Sequence, residues 1–153
     1  MTLLLPFLLG DERYGLKLTD IQEVVEGATP HYLPGAPPEI IAAVNVHGRI
    51  LPVLDLPLCL GFSPVGWSAR MIVLSGRDFQ MVLAVGQMEA LISVDFEQAV
   101  LTQEDGPDDC IGAVLNWQGQ MISLLDLQRL QKLVEAKCSS PGGEHAITSF
   151  DRG

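Results

Sequence analysis

The feature that most constrains this chain is an internal repeat. Residues Val44 to Leu56, VNVHGRILPVLDL, align with Leu115 to Leu127, LNWQGQMISLLDL, at an offset of 71 residues (44 to 115). Asn, Gly, Asp and Leu are identical at matched places, and the apolar positions coincide. Upstream, Tyr14-Gly15-Leu16-Lys17-Leu18 followed by Ile21 matches Met81-Val82-Leu83-Ala84-Val85 followed by Met88, at an offset of 67 (14 to 81). The difference between the two offsets is a loop insertion. A duplicated chain of 153 residues must build two similar small units. Neither is expected to stand alone, because domains near 60 residues bury too little apolar surface.

Short apolar segments bounded by Gly, Pro, Asn or Asp predict a mainly all-β fold. Strands are expected at Leu3–Leu9, Arg13–Leu18, Ile21–Glu26, Ile41–Val46 and Ile50–Leu54. A second set is expected at Met71–Ser75, Gln80–Val85, Met88–Ser93, Ile111–Asn116 and Met121–Leu125. Gly10, Gly48 and Gly119 sit where tight turns need positive φ. Five strands per copy suit a small barrel that hides most sheet edges. The two barrels are expected as interleaved subdomains, roughly 14–70 and 71–125, side by side within one domain over 1–138, with 1–13 and 126–138 packing on them. Their junction offers a place for a partner's helix, which docks by laying an apolar stripe into a groove. Pro52 suggests an edge or a bulge. One segment, Asp126 to Lys137, has helical periodicity in Leu127, Leu130, Leu133 and Val134. The Gly/Ser/Pro-rich stretch 139–153 reads as a weakly ordered polar tail.

Charge narrows the function. Nine Lys and Arg face nineteen Asp and Glu, a formal net charge of −10. Nucleic-acid binding is disfavoured, since it rests on basic side chains displacing counterions, and so is an anionic membrane surface. Residues 95–109 carry Asp95, Glu97, Glu104, Asp105, Asp108 and Asp109 with no Lys or Arg, a solvated loop or an electrostatic contact for a basic partner. Cys59, Cys110 and Cys138 are odd in number and widely spaced, against a disulfide framework or a zinc knuckle. The three histidines are equally scattered, so no metal or cofactor site is expected. The apolar run Leu3–Leu9 is too short to cross a bilayer and is broken by Pro6. It reads as a buried strand and the chain as cytoplasmic, without direct membrane insertion.

Catalytic motifs are absent: there is no phosphate-binding glycine loop, G-x-S-x-G or H-E-x-x-H run. The repeated Asp has two readings. Asp55 and Asp126 could form a carboxylate pair for acid/base work, or each could cap the backbone amides of the turn or helix that follows. Capping fits their position at the end of an apolar strand, and a non-enzyme is expected.

The runs FLLGDERYGLKLTDIQEVVE and YLPGAPPEIIAAVNVHGRILPVLDL resemble the CheW-like domain of bacterial chemosensory coupling proteins. The likeness rests on Phe7 to Gly10, Tyr14-Gly15, Ile21 to Val24, Pro34 to Pro38 and Ala42 to Leu56, and extends over roughly 3–134. It implies two five-stranded SH3-like β-barrels with a C-terminal helix and no catalytic activity. It also implies an adaptor joining a chemoreceptor's cytoplasmic tip to the regulatory domain of a CheA-type histidine kinase, with the inter-barrel groove receiving the receptor. Carried over by position, the interaction residues are Ile21, Glu23, Ala42, Asn45, His47 and Gly48.

Three departures stand out. His47 replaces the family's Arg, Ala42 replaces the Gly that opens the motif, and Gly86 stands where Asp is usual. The family's Arg pairs with the Glu matching Glu23. A Glu23–His47 pair would be shorter, would lack the guanidinium fork, and would respond to pH near neutrality. Alternatively, His47 is merely an exposed turn residue. Asn45 reads equally as a turn stabiliser. Trp117 is an interface anchor or part of the inter-barrel core, and Trp67 a lid or loop anchor. A scaffold for a non-flagellar, surface-motility pathway fits the departures as well. A barrel pair binding a small ligand between its halves is the alternative class.

Overall fold

The computed structural model describes residues 1–102 and 110–138. Eleven strands form among them. The first copy contributes β1 (Thr2–Leu9), β2 (Glu12–Lys17), β3 (Ile21–Glu26), β4 (Ile40–Val46) and β5 (Arg49–Asp55). The second contributes β6 (Arg70–Leu74), β7 (Val82–Ala84), β8 (Ile92–Val94), β9 (Val100–Thr102), β10 (Ile111–Trp117) and β11 (Gln120–Leu125). Helices are α1 (Leu56–Cys59), α2 (Phe96–Ala99) and α3 (Leu127–Cys138), with a 3-10 turn at Leu18–Asp20.

Two sheets result, in the orders β8-β1-β2-β11-β10-β9 and β3-β6-β7-β5-β4. Hairpin β6–β7 of the second copy inserts between β3 and β5 of the first. Reciprocally, β1–β2 inserts between β8 and β11. The exchange preserves register. The parallel pair Val53↔Val82 has its counterpart in Leu124↔Gly15, the residues matched by the sequence offsets. Neither sheet is one contiguous stretch of the chain: each draws its central hairpin from the other copy. Sequence similarity identifies like segments but not which copy a segment pairs with.

The exchange explains the apolar runs. Met71, Val73, Val82 and Ala84 face the interior of the five-stranded sheet with Val44, Val46, Leu51 and Val53. Their alternates Ile72, Leu74 and Leu83 face the space between the sheets. Strands buried on both faces read as continuous hydrophobic stretches rather than alternating ones. Leu4, Ile92, Ala113, Leu115, Ile122 and Leu124 fill the six-stranded sheet. The space between sheets is filled by Leu5, Phe7, Leu9, Leu16, Leu54 and Leu56 among others, and is closed by Leu130, Val134 and Cys138 of α3. The spacing of those three along α3 puts them on one helical face. The space between the sheets is thus filled by the chain's own side chains.

Local differences have local causes. Residues 96–102 form α2 and β9 rather than a solvated loop, because Phe96, Ala99 and Val100 pack on the interior of the six-stranded sheet. The remaining acidic positions, 103–109, and the tail 139–153 lie outside the described residues. Residues 86–89 bond along β1 through Gly86 N to Leu8 O, Leu8 N to Gln87 O and Glu89 N to Pro6 O, leaving β8 with only Ile92–Val94. Pro52 is not on an edge strand. It opposes Ala43 on β4, and the parallel pairing of β5 with β7 begins only at Val53.

Candidate functional site

Strands β4 and β5 meet in the register Val46↔Arg49, which leaves His47 and Gly48 as a two-residue loop. Their φ values are 52° and 85°, the type I′ geometry whose twist matches that of paired strands. Asn45 Oδ1 accepts from the Gly48 amide at 2.9 Å. The second copy repeats the device: Gln118 and Gly119 have φ values of 51° and 81°, and Asn116 Oδ1 accepts from Gly119 N at 3.0 Å.

The first tip is tied to β3. His47 Nε2 lies 2.7 Å from Glu23 Oε2. The imidazole is 70% exposed and the Glu23 side chain 33%. A register shift between Ile21 and Glu23 makes this possible. Residues two apart in a regular strand share a face, whereas here Ile21 opposes Leu74 and Glu23 opposes Val73. Leu74 belongs to the core between the sheets and Val73 to the interior of the five-stranded sheet. The bulge therefore sends Ile21 towards the seam and Glu23 to the mouth of the sheet, where His47 meets it.

Of the residues carried over by resemblance, Glu23, Asn45, His47 and Gly48 come together at this tip. Ile21 is half-buried and packs against the inter-sheet core. Ala42 is buried on β4 and presents little surface. Sequence reasoning did not single out Ile50, which is 48% exposed opposite Asn45. Its repeat counterpart Met121 is 56% exposed beside the second tip. The repeat alignment could have found this pair. Val24 and Leu18 are also exposed apolar residues along the β3 side, and Glu26 pairs with Arg70 at 3.0 Å.

The repeated carboxylates serve the backbone. Asp55, fully buried, accepts from Leu58 N at 3.1 Å, Val65 N at 3.1 Å and Gly66 N at 2.9 Å. Asp126 Oδ1 accepts from Arg129 N at 3.1 Å at the start of α3. Trp117 packs on the interior of the six-stranded sheet rather than between the sheets, and Trp67 is part-exposed on the connection between copies. The three cysteines are buried and form no disulfide, and burial pushes the Cys59 thiol up to about 11. Among the described residues, no group of three His, Cys, Asp or Glu is placed to hold a metal ion.

Comparison with known proteins gives a consistent set of likenesses. A family model described as the CheW-like domain matches residues 3–135. A probable chemotaxis protein CheW of Rhizobium etli is 25% identical over 142 residues, covering 89% of this chain and 91% of its own. The chemotaxis protein CheW of Bacillus subtilis is 22% identical over 125 residues, covering 78% and 80%. Among solved structures, the scaffolding protein TtCheW of Thermoanaerobacter tengcongensis matches with a TM-score of 0.72 at 25% identity, over 82% of this chain and 88% of that one.

Proposed function

This chain belongs to the CheW-like domain family, and from that premise we propose that it is a non-catalytic coupling scaffold of chemotaxis signalling. It joins the cytoplasmic tip of a chemoreceptor to the regulatory domain of a CheA-type histidine kinase, on the cytoplasmic side of the membrane. The observation that carries this reading is the extent of the family match, which takes in both sheets and most of α3. The likeness is to a whole scaffold domain rather than to a borrowed motif. No helix among the described residues is long and apolar enough to cross a membrane.

The contact surface we assign is the first hairpin tip with the adjoining side of β3. Glu23, Asn45, His47 and Gly48 supply a rigid polar tip, while Ile50, Val24 and Leu18 supply exposed apolar surface on either side. Because the inter-sheet core is filled, the receptor helix is expected to lie along the rim of the seam at β3 instead of within it. The alternative of a small-ligand module is disfavoured in the core between the sheets, which the chain's own side chains fill. A hydrolase using Asp55 and Asp126 is disfavoured, since both carboxylates are engaged by backbone amides.

Capture of a receptor-tip fragment and a kinase regulatory domain by the purified chain tests the assignment. Glu23→Gln and His47→Ala are each expected to weaken capture roughly ten-fold, about 1.4 kcal/mol, with circular dichroism and melting unchanged. His47→Arg should retain it. Undiminished capture after combined substitution of Ile21, Glu23 and His47 would remove this surface from consideration.

A further inference from the structure

Strands β2 and β11 run parallel only over Tyr14↔Ser123 and Gly15↔Leu124. Beyond that point β2 continues to Lys17 and the 3-10 turn, while β11 leads into α3. The diverging ends leave a cavity of about 330 Å³, lined by Lys17, Asp20, Phe96, Leu124, Leu125 and Asp126. A register shift in β10 between Ile111 and Ala113 adjoins it. Gly112 there leaves room for Asp126, since a Cβ on Gly112 would sit 3.2 Å from Asp126 Cβ.

The lining combines an apolar floor, an aromatic wall and two carboxylates. Burial raises the Asp20 carboxyl above its ordinary value, Lys17 opposes this, and Asp126 adds to it. Lys17 already illustrates the chemistry the cavity favours, its ammonium lying 4.9 Å above the centre of the Phe96 ring. An anion has little to gain here, although α3 begins at this wall, because Asp126 already occupies the helix start.

We propose that this cavity receives an arginine side chain from a partner protein. The guanidinium relieves the repulsion between Asp20 and Asp126, its planar fork suits bonding to the two carboxylates while Lys17 keeps its place over Phe96, and its methylene stem lies on Leu124 and Leu125. The chain's net charge of −10 favours the approach of a basic partner. That the guest comes from a protein rests on the scaffold reading; the preference for a guanidinium does not.

The test titrates N-acetyl-arginine amide into the full chain while backbone amide NMR signals are followed. Saturable shifts are expected at Ala113, Leu127 and Gln128 and not at Gly48, with no comparable response to N-acetyl-norleucine amide. Asp20→Asn should weaken the response roughly ten-fold, and Gln128→Glu, which adds a charge to the exposed lining, should strengthen it. Absence of saturable shifts, or an equal response to the norleucine compound, overturns the proposal. Tighter binding of putrescine also overturns it, in favour of a small-amine site. The titration reads the cavity, whereas capture of receptor and kinase reads the scaffold assignment, so the two can fail separately.

Discussion

At the repeated Asp, identical residues hold unequal numbers of backbone amides. Asp55 is fully buried and satisfies the amides of Leu58, Val65 and Gly66, whereas Asp126 is half-buried and caps α3 through the Arg129 amide. Losing the first leaves three part-buried amides without their acceptor, at up to ~1–3 kcal/mol each where water cannot replace it; losing the second costs a cap, ~1 kcal/mol. Urea denaturation is therefore expected to show Asp55→Ala destabilised by about 3 kcal/mol and Asp126→Ala by about 1. Arg13 and Glu89 form a two-bond pair at 2.5 and 3.0 Å between β2 and the segment before β8. Hydrogen bonding to Arg13 lowers the Glu89 carboxyl below its ordinary value of 4.5, against the opposing effect of burial. A lowered native value means the pair's stabilisation is complete above 4.5 and fades as pH falls through that lower value. Melting measured down a pH series should show a loss of ~1 kcal/mol or less that is missing in Glu89→Gln. A loss of the same size in that variant would discount the pair.

At the scale of elements, the two hairpins and the crossing at Gly86 use glycine for different reasons. Gly48 and Gly119 have positive φ with open space where a Cβ would project. Alanine there meets only backbone strain, ~1–2 kcal/mol. Gly86 needs no special φ, but a Cβ would lie 2.3 Å from the Leu8 carbonyl oxygen, and the backbone itself would have to move. Thermal melts should rank Gly86→Ala as clearly more damaging than Gly48→Ala or Gly119→Ala. Gln118 holds a positive φ of 51° without being glycine. Asn tolerates that conformation better and is favoured before Gly in such turns, so Gln118→Asn is expected to raise stability by a few tenths of a kcal/mol. These tips were legible in the sequence because a polar residue followed by Gly, His47-Gly48 or Gln118-Gly119, interrupts two apolar runs. The bulge that separates Ile21 from Glu23 was not, since nothing in IQE marks an extra residue in β3.

Across the whole molecule, reciprocal insertion of β1–β2 and β6–β7 makes each sheet a joint product of both copies. Fragments 1–69 and 70–138 should each lack stable sheet structure alone, because each would leave a sheet without its central hairpin and expose Ile72, Leu83 or Phe7. Mixed in equal amounts, they are expected to regain the circular dichroism of the intact chain. A fragment that folds by itself would contradict the interdependence described above.

The sequence by itself determined the number of copies, most strands, the two type I′ tips, the helix with its buried stripe and the family to which the chain belongs. All of these are written in local periodicity, turn residues or matched positions along one chain. Only the tertiary structure decided which hairpin sits in which sheet, that α3 closes the space between the sheets, and that Glu23 meets His47 while Ile21 turns away. Those outcomes depend on the pairing of segments remote in sequence, and a strand's apolar pattern is compatible with more than one neighbour.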